Sequence, residues 1–272
     1  MLARAAYSRP DMSASPKTPK ETIDFGFETV RTEDKQGRVK QVFDSVARDY
    51  DRMNDAMSVG LHRVWKDMAI TTLNPQPGER LLDVAGGTGD IARRFIKAAD
   101  TVRDRRGGET ASAVILDIND EMLLAGIDPK KDAGLSLSRV CANAQILPFE
   151  DAQFDVVTIA YGIRNVTDRL AALREFHRVL KPGGRLGVLE FSTPPEPLIR
   201  KFYDAYSFAV IPRLGQAIAG DRDSYQYLVE SIRKFPKQAQ FVALIEEAGF
   251  AKVGWTDYSA GVTAFHTGWK IT

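Results

Sequence analysis

Asp83 and Asp117 stand near the ends of two short apolar runs, Arg80 to Ala85 and Ala113 to Ile118. The first run leads into a turn of small residues, Ala85-Gly86-Gly87-Thr88-Gly89-Asp90. Such a turn lets backbone approach a ligand closely at the start of a helix, which is where nucleotide-like cofactors bind. The stretch Gly87-Thr88-Gly89-Asp90-Ile91-Ala92 also fits the dinucleotide pattern G-x-G-x-x-G/A, so a nicotinamide or flavin cofactor has to be weighed. Charge separates the readings. A pyrophosphate would be repelled by Asp83 and Asp90. S-adenosylmethionine, with an ammonium and a sulfonium, would be attracted.

On that reading Asp83 orients the amino-acid end of the cofactor, directly or through water. Asp117 accepts from the ribose hydroxyls, and Gly87 and Gly89 bring backbone close. The alternative, in which the two acids only cap helices, stays open. Downstream, Asn143-Ala144 could present an amide to the adenine edge and a small residue to the ring, or Asn143 could be a turn residue.

These residues need strands and helices to hold them. The apolar runs Arg80 to Ala85, Ala113 to Ile118, Phe154 to Tyr161 and Arg185 to Phe191 read as buried parallel strands, with a weaker strand near Ser138 to Cys141. Helices are predicted over Asp90 to Ala99, from Glu121, and over Arg169 to Leu180. Arg103 to Thr110 reads as a surface loop. Repeated βα units imply an α/β, doubly wound, Rossmann-like sheet. A helical lead-in over Lys35 to Leu73 precedes the first strand. A helical insertion with Phe202, Tyr203, Tyr206 and Phe208 follows the fifth and is a candidate lid. A helix over Phe235 to Ala248 and a closing hairpin, Lys252 to Tyr258 and Val262 to Lys270, complete the sequence.

The 272 residues suit one sizeable domain, with 44% hydrophobic and 27% charged residues. A net charge of +1 argues against nucleic acid as a partner. The lone Cys141 excludes an intrachain disulfide, and His62, His177 and His266 lack metal-ligand spacing, so a reducing compartment and no metal are expected. No apolar stretch approaches the roughly 20 residues that span a bilayer, which leaves peripheral membrane contact. Residues 1–24 read as a targeting or disordered segment ahead of a domain over 25–272. Arg4, Arg9 and Ser8 with no acid before Asp11 suit a mitochondrial transit peptide as well as a plain tail.

Longer blocks carry a resemblance. Tyr50-Asp51-Arg52-Met53-Asn54-Asp55-Ala56-Met57-Ser58 through His62 and Trp65 resembles the first signature of the ubiquinone/menaquinone C-methyltransferases. Arg178-Val179-Leu180-Lys181-Pro182-Gly183-Gly184 through Glu190 and Ser192 resembles the second. With DVAGGTGD (Asp83 to Asp90), GIRNVT (Gly162 to Thr167) and DSYQYLVESIR (Asp223 to Arg233), the likeness runs from about Phe25 onward. It implies a class I methyltransferase sheet and methyl transfer to a ring carbon of a polyprenylated methoxy-benzoquinol. Thr88, Asp117, Asn143 and Ala144 become cofactor contacts by the same likeness. Ala160 stands where bacterial relatives commonly carry a serine, which puts that hydroxyl contact in doubt. FGFETV near Phe25 looks closer to the mitochondrial branch. The resemblance therefore points to the mitochondrial matrix at the inner membrane, with bacterial cytoplasm as the alternative. Other ubiquinone-biosynthesis proteins and a second copy of the protein are expected partners.

Ring methylation needs a nucleophilic carbon, and a phenol of pKa near 10 needs help to share its proton at neutral pH. The loop after the fourth strand holds Arg164 and Asn165, where a guanidinium could stabilise the developing phenolate. The opposing reading pairs Arg164 with a nearby acid such as Asp168. Tyr50 is a candidate ring contact or a core aromatic, and His62 is expected to be structural. The aromatic insertion could shelter a polyprenyl tail.

Overall fold

In the computed structural model, residues 21–46, 55, 58–219 and 221–272 are described. The N-terminal part of this region forms a two-stranded antiparallel hairpin, β1 (Thr22–Phe25) and β2 (Glu28–Arg31), turning at Gly26 with φ 60°. No sequence signal marked this hairpin. It places the expected boundary at residue 24 inside β1. The helical lead-in follows as α1 (Thr32–Val46) and α2 (His62–Leu73).

The central units are β3 (Arg80–Val84), α3 (Asp90–Arg106), β4 (Ser112–Asp117), α4 (Asp120–Ala125), α5 (Pro129–Asp132) and β5 (Ser136–Cys141). They continue with β6 (Phe154–Ala160), α6 (Arg169–Val179) and β7 (Leu180–Phe191). The insertion contains α7 (Pro197–Ala209), α8 (Ile211–Ala219) and α9 (Arg222–Lys234). The fold then closes through α10 (Gln238–Glu247), β8 (Ala251–Tyr258) and β9 (Thr263–Trp269). The seven-stranded sheet has the order β5-β4-β3-β6-β7-β9-β8, parallel except for the antiparallel pairs β7·β9 and β9·β8. This is the doubly wound, Rossmann-like class I methyltransferase fold.

Consecutive strand residues point to opposite faces of the sheet, and the central strands β3, β4, β6 and β7 are buried on both, while the edge strands β5 and β8 are partly exposed. Leu81, Ile115 and Val156 join one core cluster with Phe95 and Phe191. Leu82, Leu116 and Val157 join the other with Phe176 and Phe241. Truncating Phe95 or Phe176, one on each side, would cost about 3–5 kcal/mol.

Two boundaries differ from the sequence reading. α3 runs past Ala99 to Arg106 and takes in half of the expected loop at Arg103 to Thr110. Arg103 pairs with Asp100 one turn back, and Arg103, Arg105 and Arg106 lie in the last turn, where cations complement the helix dipole. Lys181 to Gly184 belong to β7, with Gly183 at φ 81°, and α6 stops at Val179.

Candidate cofactor and substrate cleft

The sheet order reverses between β3 and β6, and both strands leave the sheet through a non-glycine residue in the left-handed region: Ala85 (φ 49°) and Tyr161 (φ 57°). Such residues cost on the order of 1–3 kcal/mol each and persist where the surroundings impose them. The two exits touch, since a Cβ on Gly162 would lie 2.6 Å from Ala85 Cβ. A cleft opens above this point, at the carboxyl ends of the strands, as doubly wound sheets require.

Asp83, Gly87, Thr88, Asp117, Asn143 and Ala144 all border the cleft. Gly86 is there too, and an added Cβ would fall 2.8 Å from Asp83 Oδ2 and 2.9 Å from Ile115 Cγ2. Only a bare backbone fits. Gly89 does not border the cleft. It caps α3 at φ 85°, and a Cβ there would meet Ile115 Cδ1 at 2.6 Å, so its work is the turn and its packing.

Asp83 is buried, and its Oδ1 accepts from Thr158 Oγ1 at 2.9 Å. Its Oδ2 is buried without a hydrogen-bond partner. Burial pushes this carboxyl up to about 7, against the Thr158 hydrogen bond and the charge of Lys66. Asp117 Oδ2 accepts the Gly87 N–H and Oδ1 the Asn119 N–H, each at 2.9 Å. Burial raises Asp117 to about 6 in spite of these amides. Asn119 caps α4 by accepting from Met122 N.

Lys66 of α2 was not anticipated. It lines the cleft and holds Asp90 Oδ2 at 2.9 Å. Although burial pulls Asp90 upward, the charges and hydrogen bonds of Lys66 and Arg94 keep it below the usual carboxylate range. The Asp90 charge is therefore matched, whereas Asp83 and Asp117 border the cleft with no cation in ion-pair contact among the described residues. Asn143 makes the turn contact, its Oδ1 accepting from Gln145 N at 2.9 Å, and it borders the cleft.

Asn165 borders the cleft, and Tyr227 Oη of α9 donates to its Oδ1 at 3.0 Å. Its Nδ2 is buried without a hydrogen-bond partner. Arg164 lies in the expected loop after β6, but its side chain pairs with an acid instead of bordering the cleft. Its Nη1 donates to Glu190 Oε1 and to Tyr161 O, each at 2.6 Å, and the side chain is 3% exposed and does not border the cleft. The partner acid is Glu190 of β7, while Asp168 caps α6 by accepting from Ala171 N. Tyr50 lies outside the described residues. His62 is buried with Nδ1 2.9 Å from Ser58 Oγ, a structural contact. Ala160 borders the cleft without a hydroxyl. Tyr227 and Asn165, 62 residues apart, share no spacing that could have joined them in advance.

The unpartnered Asp83 Oδ2 beside a glycine cradle fits an ammonium better than a phosphate. The family model for the ubiE/COQ5 methyltransferase family matches residues 31–270. The chain belongs to this family. It is a methyltransferase that uses S-adenosylmethionine. The ubiquinone/menaquinone biosynthesis C-methyltransferase UbiE of Caulobacter vibrioides is 54% identical over 247 residues, 91% of this chain and 97% of that one. The mitochondrial 2-methoxy-6-polyprenyl-1,4-benzoquinol methylase of Danio rerio is 48% identical over 99% of this chain and 91% of its own length. An S-adenosylmethionine-dependent methyltransferase of Aquifex aeolicus shares the fold at 15% identity, with a TM-score of 0.52 over 75% of this chain and 89% of that one. S-adenosylmethionine, when bound, would supply an electrophilic methyl group to the substrate and leave as S-adenosylhomocysteine.

Proposed function

We propose that this protein methylates a ring carbon of a 2-methoxy-6-polyprenyl-1,4-benzoquinol, a step of ubiquinone synthesis. The observation that carries this reading is the buried Asn165 Nδ2, without a partner, in the Gly162–Thr167 loop beside the cleft that holds the cofactor residues. A fixed donor there stabilises charge on a ring oxygen as the phenol shares its proton, which makes the adjoining carbon nucleophilic. Tyr227 orients Asn165, and Arg164 with Glu190 fixes the loop backbone. On the cofactor side we assign Asp83 to the ammonium, Asp117 to the ribose hydroxyls, and Thr88, Asn143 and Ala144 to the remainder of S-adenosylmethionine. Enclosure by the two strand exits holds the ring carbon against the methyl, an entropic gain. Reduced quinol is the substrate, since the oxidised quinone has no hydroxyl to ionise.

The tail has an apolar surface to follow. Leu198 is 62%, Ile199 37%, Phe208 36% and Val210 39% exposed along α7 and its end, with Phe27 of the hairpin 53% exposed; Phe27 and Phe208 stack at 6.0 Å. We assign this patch to peripheral membrane contact. Among the described residues no helix is long and apolar enough to cross a membrane. The mitochondrial relative and the Arg-rich, acid-poor first ten residues support the matrix side of the inner membrane. The bacterial relatives at 54% identity support the cytoplasmic alternative.

The deciding assay mixes purified protein, S-adenosylmethionine and a short-tailed demethyl methoxy-quinol and follows methyl incorporation by mass. Incorporation into quinol and none into quinone is expected; no product with either would reject the substrate. A fusion of residues 1–20 to a reporter should reach mitochondria, and a uniformly cytosolic reporter would reject the address.

A further inference from the structure

A second cavity lies beside the Ile163–Asn165 turn. Asn165 borders the cleft, whereas Arg164 borders this cavity together with Lys35 of α1, Arg169 at the start of α6, and Asp24, Tyr227 and Lys234. Four cations thus face one carboxylate, Asp24, and the Tyr227 hydroxyl. The pairing is uneven. Arg164 is matched by Glu190, and Lys234 by Asp24 at 3.5 Å. Lys35 and Arg169 have no carboxylate within ion-pair distance among the described residues.

Neither of these two cations is a solvated surface group. Lys35 is 3% exposed. Arg169 donates Nη2 to Arg164 O at 2.9 Å and Nε to Ile163 O at 3.3 Å, and its guanidinium lies over the Phe235 ring. These contacts fix its plane and leave Nη1 for another acceptor. Burial, followed by the charge of Arg169, lowers Lys35 to about 8, with Asp24 opposing. Two neighbouring cations, Lys35 buried and Arg169 half-buried, without a carboxylate in contact are unfavourable unless an anion joins them.

We propose that this cavity is a phosphate-type oxyanion site, with Lys35 as the point charge and Arg169 as the planar donor. A phosphate of nearly two negative charges matches both cations, while a single carboxylate would leave one unmatched. The ligand is either free phosphate or the phosphomonoester headgroup of a lipid such as phosphatidic acid. Its presence ties α1 and the hairpin to the start of α6. Phe25 of the hairpin stacks on Tyr227 at 4.1 Å, and Tyr227 orients Asn165, so the site adjoins the support of the cleft.

The test uses the full-length protein, with inorganic phosphate and chloride compared at equal ionic strength by calorimetry and thermal unfolding. Sedimentation with phosphatidylcholine vesicles, with and without phosphatidic acid, forms the second arm. Lys35→Met is set against exposed Lys130→Met. Phosphate should bind and raise the Tm of the parent and of Lys130→Met, and Lys35→Met should bind it about tenfold or more weakly. Without phosphate, Lys35→Met should melt at or above the parent because an unmatched buried charge is gone. A lipid source gives no response to free phosphate but phosphatidate-dependent sedimentation that Lys35→Met loses. If Lys35→Met fails to fold, Arg169→Lys replaces it, with severalfold weaker binding expected from loss of the fork. Phosphate and phosphatidate acting no better than chloride and phosphatidylcholine, or equally on parent and variants, overturn the site.

Discussion

Arg164 and Glu190 form a buried ion pair across the turn after β6 and the end of β7, 2.6 Å apart with side chains 3% and 1% exposed. Glu190 also accepts from Phe191 N at 2.9 Å, so the pair is tied into backbone on both sides. Removing one partner strands the other charge. Arg164→Ala should therefore cost about 3–5 kcal/mol of stability, and Arg164→Ala with Glu190→Gln should cost less than the two single changes added. Urea unfolding of the four proteins gives the cycle. A parent-like Arg164→Ala that loses only turnover would return the guanidinium to the chemistry.

Asp83 at about 7 and Asp117 at about 6 set a pH window for cofactor binding. An ammonium near Asp83 favours its ionised form, so binding expels the proton that the free protein holds below about 7. Affinity for S-adenosylmethionine should rise from pH 5.5 to 8. Calorimetry near pH 6 should detect proton release, through buffers of different ionisation enthalpy. Asp83→Asn should flatten the upper part of this profile, between about pH 6 and 7, and leave the part that Asp117 sets below it; Asp117→Ala should weaken binding by about 1–3 kcal/mol. Affinity for the parent that is level across this range would dismiss the Asp83 contact.

That the proposed cofactor residues gather at one cleft was legible in the sequence because one continuous strand-turn-helix carries most of them. Asp83 and the glycine turn define their own geometry, and Asp117 follows one βα unit later. The substrate half was not, because it is assembled from distant segments. Lys66 reaches Asp90 from α2, Tyr227 reaches Asn165 from α9, and Glu190 outcompetes the nearby Asp168 for Arg164 since β6 and β7 run side by side. The β1–β2 hairpin escaped notice for a similar reason. It is only two four-residue strands, and its support is tertiary: Phe25 on Tyr227, and Phe27 N donating to Glu230 at 2.9 Å.

His266 on β9 is 1% exposed between Phe241 and Trp255. Burial lowers it to about 4 from 6.5. The folded form therefore resists a proton that the unfolded polypeptide accepts below 6.5. The resulting stability is fully present above pH 6.5 and is lost as pH falls toward 4, by about 3 kcal/mol in all. His266→Phe should remove that loss, so the difference in unfolding free energy between variant and parent should shift in the variant's favour between pH 6.5 and 4. A constant difference would show that the ring is not titrating there.

Tyr227 offers the cleanest separation of positioning from scaffold. Its hydroxyl donates to Asn165 Oδ1, and that bond turns the amide so that Nδ2 has no protein partner and faces the reacting ring in the proposed function. Tyr227→Phe keeps the ring, its stack on Phe25 and its place in the core, and removes only the oxygen. Stability should fall by no more than about 1–2 kcal/mol, the scale of one lost hydrogen bond and an unsatisfied amide oxygen. Cofactor affinity should not move, because Asp83 and Asp117 are untouched. Turnover should drop by about tenfold or more, since a donor that has lost its orientation stabilises developing phenolate charge less well, and the loss should sit in kcat more than in KM. Asn165→Asp, which replaces the donor with an acceptor and a negative charge, should be worse than Tyr227→Phe. If Tyr227→Phe turns over like the parent with quinol, Asn165 does not depend on this hydroxyl. If Asn165→Asp does so too, the amide does not touch the ring.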